Sequence, residues 1–147
     1  MKKELTIEHL AAYLPYGVSV SCCFLEGTKT IVPRLFVTVN PWSDMRKGVS
    51  IGQVSHYSGK LLLRPLSQLT EVIEHNGNQL CPIEWLEDRY YTLGLHKECE
   101  RLLENGGHKW INHMSHLLVI HLLEWHFDIY GLLDSGLAEP IPSIEQP

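Results

Sequence analysis

Along the first fifteen residues the apolar positions recur with helical spacing. Ile7, Leu10 and Ala11 share a face, Thr6 stands where a helix needs a capping oxygen, and Pro15 lacks the N–H that would continue the ladder. This predicts a short helix over Thr6–Leu14. After Tyr16 and Gly17 the period falls to two: Val18, Val20 and Cys22 alternate with polar residues up to a turn at Glu26 and Gly27. A hairpin is expected, with a return strand over Thr30–Asn40 in which Pro33 points to an edge position or a bulge. Val49, Ile51, Gln53 and Val54 suggest a third strand, and Leu61–Leu63 reads either as a fourth strand or as a buried lead-in.

From Pro65 onward the helical period returns. Leu66, Leu69, Val72 and Ile73 follow a proline at the first-turn position and run to Asn76 and Gly77, which predicts a helix ended by a glycine cap. Two further helices are expected over Pro82–Tyr91, carrying Ile83, Trp85 and Leu86, and over Leu95–Asn105, stopped by Gly106 and Gly107. The most regular stripe is the last: Ile111, Met114, Leu118, Leu122, Trp125, Ile129 and Leu132 predict one amphipathic helix over Trp110–Asp134. Its length would be about 36 Å at 1.5 Å per residue. Beyond Gly136, the residues Pro140, Pro142 and Pro147 suit neither helix nor sheet.

These elements assemble into an α+β fold. A small antiparallel sheet from the N-terminal half is expected to pack against helices of the C-terminal half, including the long C-terminal helix. Residues 1–138 are read as a single α+β domain and 139–147 as a Pro-rich flexible tail. The length of 147 residues fits one core, and 44% apolar with 20% charged residues is ordinary globular composition.

Charge narrows the partners. Seventeen Asp and Glu against twelve Lys and Arg leave a net charge of -5, so nucleic acid is disfavoured as a direct ligand. Arg34, Arg46 and Lys47 are too few to offset that field. An acidic surface does suit docking onto a basic one, including a protein surface that normally holds DNA or RNA. No signal sequence follows Met1, because Glu4, Thr6, Glu8 and His9 interrupt it, and the apolar run Leu117–Leu123 is too short to span a membrane. A cytoplasmic location with no membrane partner is therefore expected. Cys22, Cys23, Cys81 and Cys99 make a poor disulfide framework and read as reduced, buried thiols.

Histidine is the one enriched reactive residue. His108, His113, His116, His121 and His126 lie close together with Glu124 and Asp128. Ligands on one helix face need a spacing of three or four, which His113 with His116, His121 with Glu124, and Glu124 with Asp128 all satisfy. A metal-assisted enzyme using His113, His116, His121 and Glu124 is thus the alternative reading. The pairs diverge, however: five residues from His116 to His121 turn the helix by about 140°. The simpler expectation is a His121 that borders the apolar stripe with a satisfied hydrogen bond. A zinc site from Cys81, Cys99 and His96 lacks close C-x-x-C spacing. Neither G-x-S-x-G nor a phosphate-binding loop occurs, so no catalytic residue and no cofactor are assigned.

The segments LAAYLPYGV, LLLRPLSQLTEVIEHNG and LLEWHFDIYGLLDSGLA together resemble small proteins encoded in phages and prophages of Bacteroides-like bacteria. That resemblance implies a bacterial host cytoplasm and an accessory protein that binds a host or phage protein. Inhibitors of host defence such as anti-CRISPR proteins belong to that class. It implies no active-site residue. Partner contact is expected at the sheet edge and its neighbouring loop, through Trp42, Asp44, Arg46 and Tyr57, because a tryptophan in a loop either folds back or anchors a partner.

Overall fold

The computed structural model describes residues 5–16, 18–23, 29–32, 35–36, 49–50, 59–105 and 107–141. In chain order its elements are α1 (Ile7–Tyr13), β1 (Val20–Cys23), β2 (Lys29–Val32), β3 (Leu35–Phe36), β4 (Val49–Ser50), β5 (Lys60–Leu63), β6 (Ile73–His75), β7 (Asn78–Leu80), α2 (Pro82–Tyr90), α3 (Leu95–Glu104), α4 (His116–Glu124) and β8 (Ala138–Pro140). The fold is α+β, and the chain divides into two compact units. One comprises Met1–Leu63 with Leu132–Pro140; the other is built on Arg64–Gly131.

In the first unit, helix α1 starts where the capping pattern placed it. The Thr6 hydroxyl accepts from the His9 N–H, and His9 Nδ1 accepts from the Thr6 N–H at 3.3 Å, so an imidazole stands where a capping box usually carries Glu or Gln. Leu10 and Tyr13, three apart, are buried. At Pro15 the chain tightens into a 3₁₀ turn over Leu14–Tyr16.

A four-stranded sheet has the order β2-β1-β5-β8. The expected hairpin is present, with Val20 opposite Val32 and Ser21 opposite Ile31. The lead-in at Leu61–Leu63 is an inner strand, paired antiparallel to β1 and parallel to β8. All three leucines are buried, as expected of a strand covered on both faces. The sheet is therefore mixed rather than antiparallel, and its last strand comes from the far end of the chain. Glu139 and Pro140, in the stretch read as tail, pair beside Leu62 and Leu63. Proline is tolerated there because β8 is an edge. Within the expected return strand, β2 and β3 are separate short pieces, and β3 pairs parallel with β4.

In the second unit two expectations are corrected. The helix predicted from Pro65 to Asn76 is a single 3₁₀ stretch, Leu66–Thr70, followed by the hairpin β6–β7. Asn76 and Gly77 have φ of 51° and 79°, so both loop residues are left-handed, as a two-residue type I′ turn requires. The β-branched Val72 and Ile73, which fit the helical period, lead into a strand instead. Ile73 faces Leu80 across the hairpin and is buried.

The long C-terminal helix is also broken. Residues Gly107–His113 form a 3₁₀ segment, and α4 spans only His116–Glu124. Its start is fixed by Ser115, whose hydroxyl accepts from the Leu118 N–H. Its end is a Schellman arrangement: the His126 N–H donates to the Leu123 carbonyl at 3.0 Å and the Phe127 N–H to the Leu122 carbonyl at 2.8 Å. His126 occupies the left-handed position at φ 63°, where glycine is usual. The chain then runs alongside Arg64: the Arg64 N–H donates to the His126 carbonyl, and the Asp128 N–H to the Arg64 carbonyl at 2.9 Å.

Helices α2 and α3 stand as expected, joined through Gly94 at φ 68°. Leu95, Cys99 and Leu102 project one face of α3 into a core with Leu69, Ile73, Leu86, Leu118, Leu122, Trp125, Phe127 and Ile129. The C-terminal stripe is thus buried from Leu118 through Ile129, with Ile111 and Met114 partly buried, although the helix under it stops at Glu124.

Candidate functional site

The densest group of chemically active side chains among the described residues lies where α2 meets α4. Along α2, Trp85 and Tyr90 flank the buried Leu86; at the end of α4, His121 and the capping Trp125 are four residues apart. Their rings interlock. Trp85 meets His121 and Trp125 edge-on, each with centroids 5.1 Å away, and His121 lies nearly parallel to Trp125 at 5.4 Å. The Arg89 guanidinium sits over the Trp85 ring, 4.9 Å from its centroid.

His121 is the hub. Its Nε2 is 3.2 Å from the Tyr90 hydroxyl, and its Nδ1 is 3.5 Å from a Glu124 carboxylate oxygen. The second contact is long for a hydrogen bond and sets the Glu124 carboxylate beside the Nδ1 edge of the ring. With the proton on Nδ1 facing Glu124, Nε2 accepts from the Tyr90 O–H, which gives a carboxylate–imidazole–phenol series. Burial holds the imidazole below its ordinary range; Glu124 opposes this and Arg89 adds to it. The group therefore stays neutral at physiological pH and clasps α2 to α4, while Glu124 remains half exposed.

A second group surrounds Arg64, which is buried and donates to the Glu74 carbonyl. His75 stands edge-on to His126, with ring centroids 5.1 Å apart. Burial, reinforced by the Arg64 charge and opposed by Glu124, holds His75 below the ordinary imidazole range. A third contact fixes α4 to α3: the Ser115 N–H and Oγ–H donate to the two Glu98 carboxylate oxygens at 2.8 and 2.9 Å.

The residues singled out for metal chemistry do not converge. His113 lies in the 3₁₀ segment with its ring against Trp110, His116 is exposed at the first position of α4, and only His121 and Glu124 meet. Among the described residues no group of three or more His, Cys, Asp or Glu side chains is placed to hold a metal ion. The alternative zinc set is likewise separate: His96 stacks on Tyr91, the Cys81 thiol reaches toward the Leu69 carbonyl, and burial, then Glu98 and Glu100, push the Cys99 thiol up to about 12. Trp42, Asp44, Arg46 and Tyr57 lie outside the described residues. His121 borders the apolar stripe and is hydrogen-bonded at Nε2 as expected, whereas its buried Nδ1 makes no hydrogen bond. Its partner Tyr90, thirty-one residues earlier, carries no local signal that pairs the two.

No family model, curated protein or solved structure matches this chain. Among the described residues no helix is long and apolar enough to cross a membrane.

Proposed function

We propose that this chain is an accessory protein of a phage or prophage that acts in the host cytoplasm by stoichiometric binding to a host or phage protein. Its finer version is inhibition of a host defence system, of the anti-CRISPR kind. The observation that carries the reading is the pair Tyr91 and Leu93, 69% and 61% exposed in one tight turn. Large apolar side chains grouped at a surface mark protein contact sites, and tyrosine is among the residues that most often dominate binding energy. The buried polar groups have structural tasks: His121 clasps two helices, Glu98 secures the start of α4, and Arg64 holds the β6–β7 hairpin. The resemblance of three chain segments to phage-encoded proteins supports the biological setting.

The test is affinity capture with the full chain from lysate of a Bacteroides-type host, with the recovered proteins quantified against the bait. Recovery of one protein at near-equal molar amount is the expected result. Recovery of none above a few per cent of the bait refutes the reading.

A further inference from the structure

We infer that the corner between α2 and α3 is the binding surface and that its partner is a protein surface rich in Lys and Arg around an apolar recess. The inference rests on the protein-binding reading above and adds where contact occurs and with what chemistry.

Three observations meet at this corner. The Tyr91 ring is stacked on His96 at 5.8 Å and 12° between planes, and His96 is itself buried. An exposed ring backed by a fixed one is presented in one orientation and loses little freedom on binding. The turn beneath it is closed, because the Gly94 N–H donates to the carbonyls of both Tyr90 and Tyr91, each at 3.2 Å, with Gly94 left-handed. Leu93 is therefore displayed from a fixed turn rather than a loose loop.

The third observation is charge. Glu84, Glu87 and Asp88 occupy positions i, i+3 and i+4 of α2, opposite the buried Leu86, and all three are exposed. They form an acidic stripe that ends three residues before Tyr91. Arg89, the one cation of α2, is drawn over Trp85 on another side of the helix. A rigid apolar tip beside three like charges repels acidic surfaces and nucleic acid and favours a basic protein surface.

The experiment places a photoreactive phenylalanine analogue at Tyr91 and, separately, at the exposed Asn112 in the full chain produced in the host, followed by sequencing of the cross-linked peptides. Capture is measured alongside for Y91S/L93S and for E84K/E87K/D88K, with far-ultraviolet circular dichroism to verify folding. The inference expects one protein cross-linked through position 91, a cross-linked region with excess Lys and Arg, and at least tenfold lower capture by each variant. A partner captured equally by the variants, or cross-linked only through position 112, overturns the surface while leaving protein binding intact. A cross-link at position 91 to an acidic region, to nucleic acid or to a second copy overturns the partner chemistry. Absence of any stoichiometric partner in every arm overturns both readings.

Discussion

The contact between Glu98 and Ser115 offers a quantitative test of how the second unit is held together. Ser115 gives both its N–H and its hydroxyl to one carboxylate, at 2.8 and 2.9 Å, while its oxygen caps α4 by accepting from Leu118. A hydrogen bond to a charged group is worth about 1.5–3 kcal/mol, and partial exposure of Glu98 places each of these near the lower end. Glu98→Ala removes both and leaves the Ser115 N–H without its acceptor, for an expected loss of about 2–3 kcal/mol. Ser115→Ala removes one bond and the cap, which is itself worth about 1 kcal/mol, for a loss of about 2.5 kcal/mol. Because the hydroxyl–carboxylate bond is shared, the double variant should fall short of the sum by about 1.5 kcal/mol. Urea unfolding followed by tryptophan fluorescence reads this, since three of the four tryptophans, Trp85, Trp110 and Trp125, lie within Arg64–Gly131. With a slope of about 2 kcal/mol/M, a 2 kcal/mol loss lowers the midpoint by about 1 M. Single losses below 0.5 kcal/mol, or strictly additive ones, would refute the reasoning.

Other consequences follow from the same geometry. His121 and His75 both bind a proton less readily in the folded chain than at the ordinary value of 6.5. Their neutral forms therefore contribute stability that is complete above pH 6.5 and is lost as pH falls toward the folded values. Melting temperature should decline from pH 7.5 to 5.5, and His121→Gln should flatten the slope; an unchanged slope contradicts the clasp. Gly131→Ala, at φ 72° and with its new methyl 2.6 Å from His108 Nε2, should cost about 1–3 kcal/mol in chemical denaturation. A variant as stable as the parent would contradict the close approach. Gly77→Ala, at φ 79° in the hairpin turn, should cost about 1–2 kcal/mol by the same assay. Cys99, buried and with its thiol pushed up to about 12, should resist iodoacetamide at pH 8 until the chain unfolds, as mass spectrometry would show.

The elements that sequence foretold are those whose signals are local. Thr6 and Pro15 bracket α1, Pro82 opens α2, and Leu95, Cys99 and Leu102 carry the face of α3. The misread stretch after Pro65 contained a competing local signal, Asn76-Gly77. Helical spacing of Leu66, Leu69, Val72 and Ile73 masked it, although the two-residue turn decides the backbone. The C-terminal stripe was legible as burial but not as conformation. Leu118, Leu122, Trp125 and Ile129 are all core, yet the helix ends at a left-handed His126, a position that sequence marks only when glycine fills it. Strand β8 was hidden by Pro140, because edge pairing depends on a strand more than seventy residues earlier. For the same reason, the histidine spacing exposed the contact of His121 with Glu124 but not that with Tyr90, which depends on how α2 crosses α4.

The central claim, stoichiometric protein binding, is tested most directly by the native mass of whatever the chain forms in its host. Gentle elution followed by light scattering should give one discrete species, whose mass equals this chain and one other protein in a small whole-number ratio. Elution at the mass of the chain alone, or of copies of itself, would contradict the account.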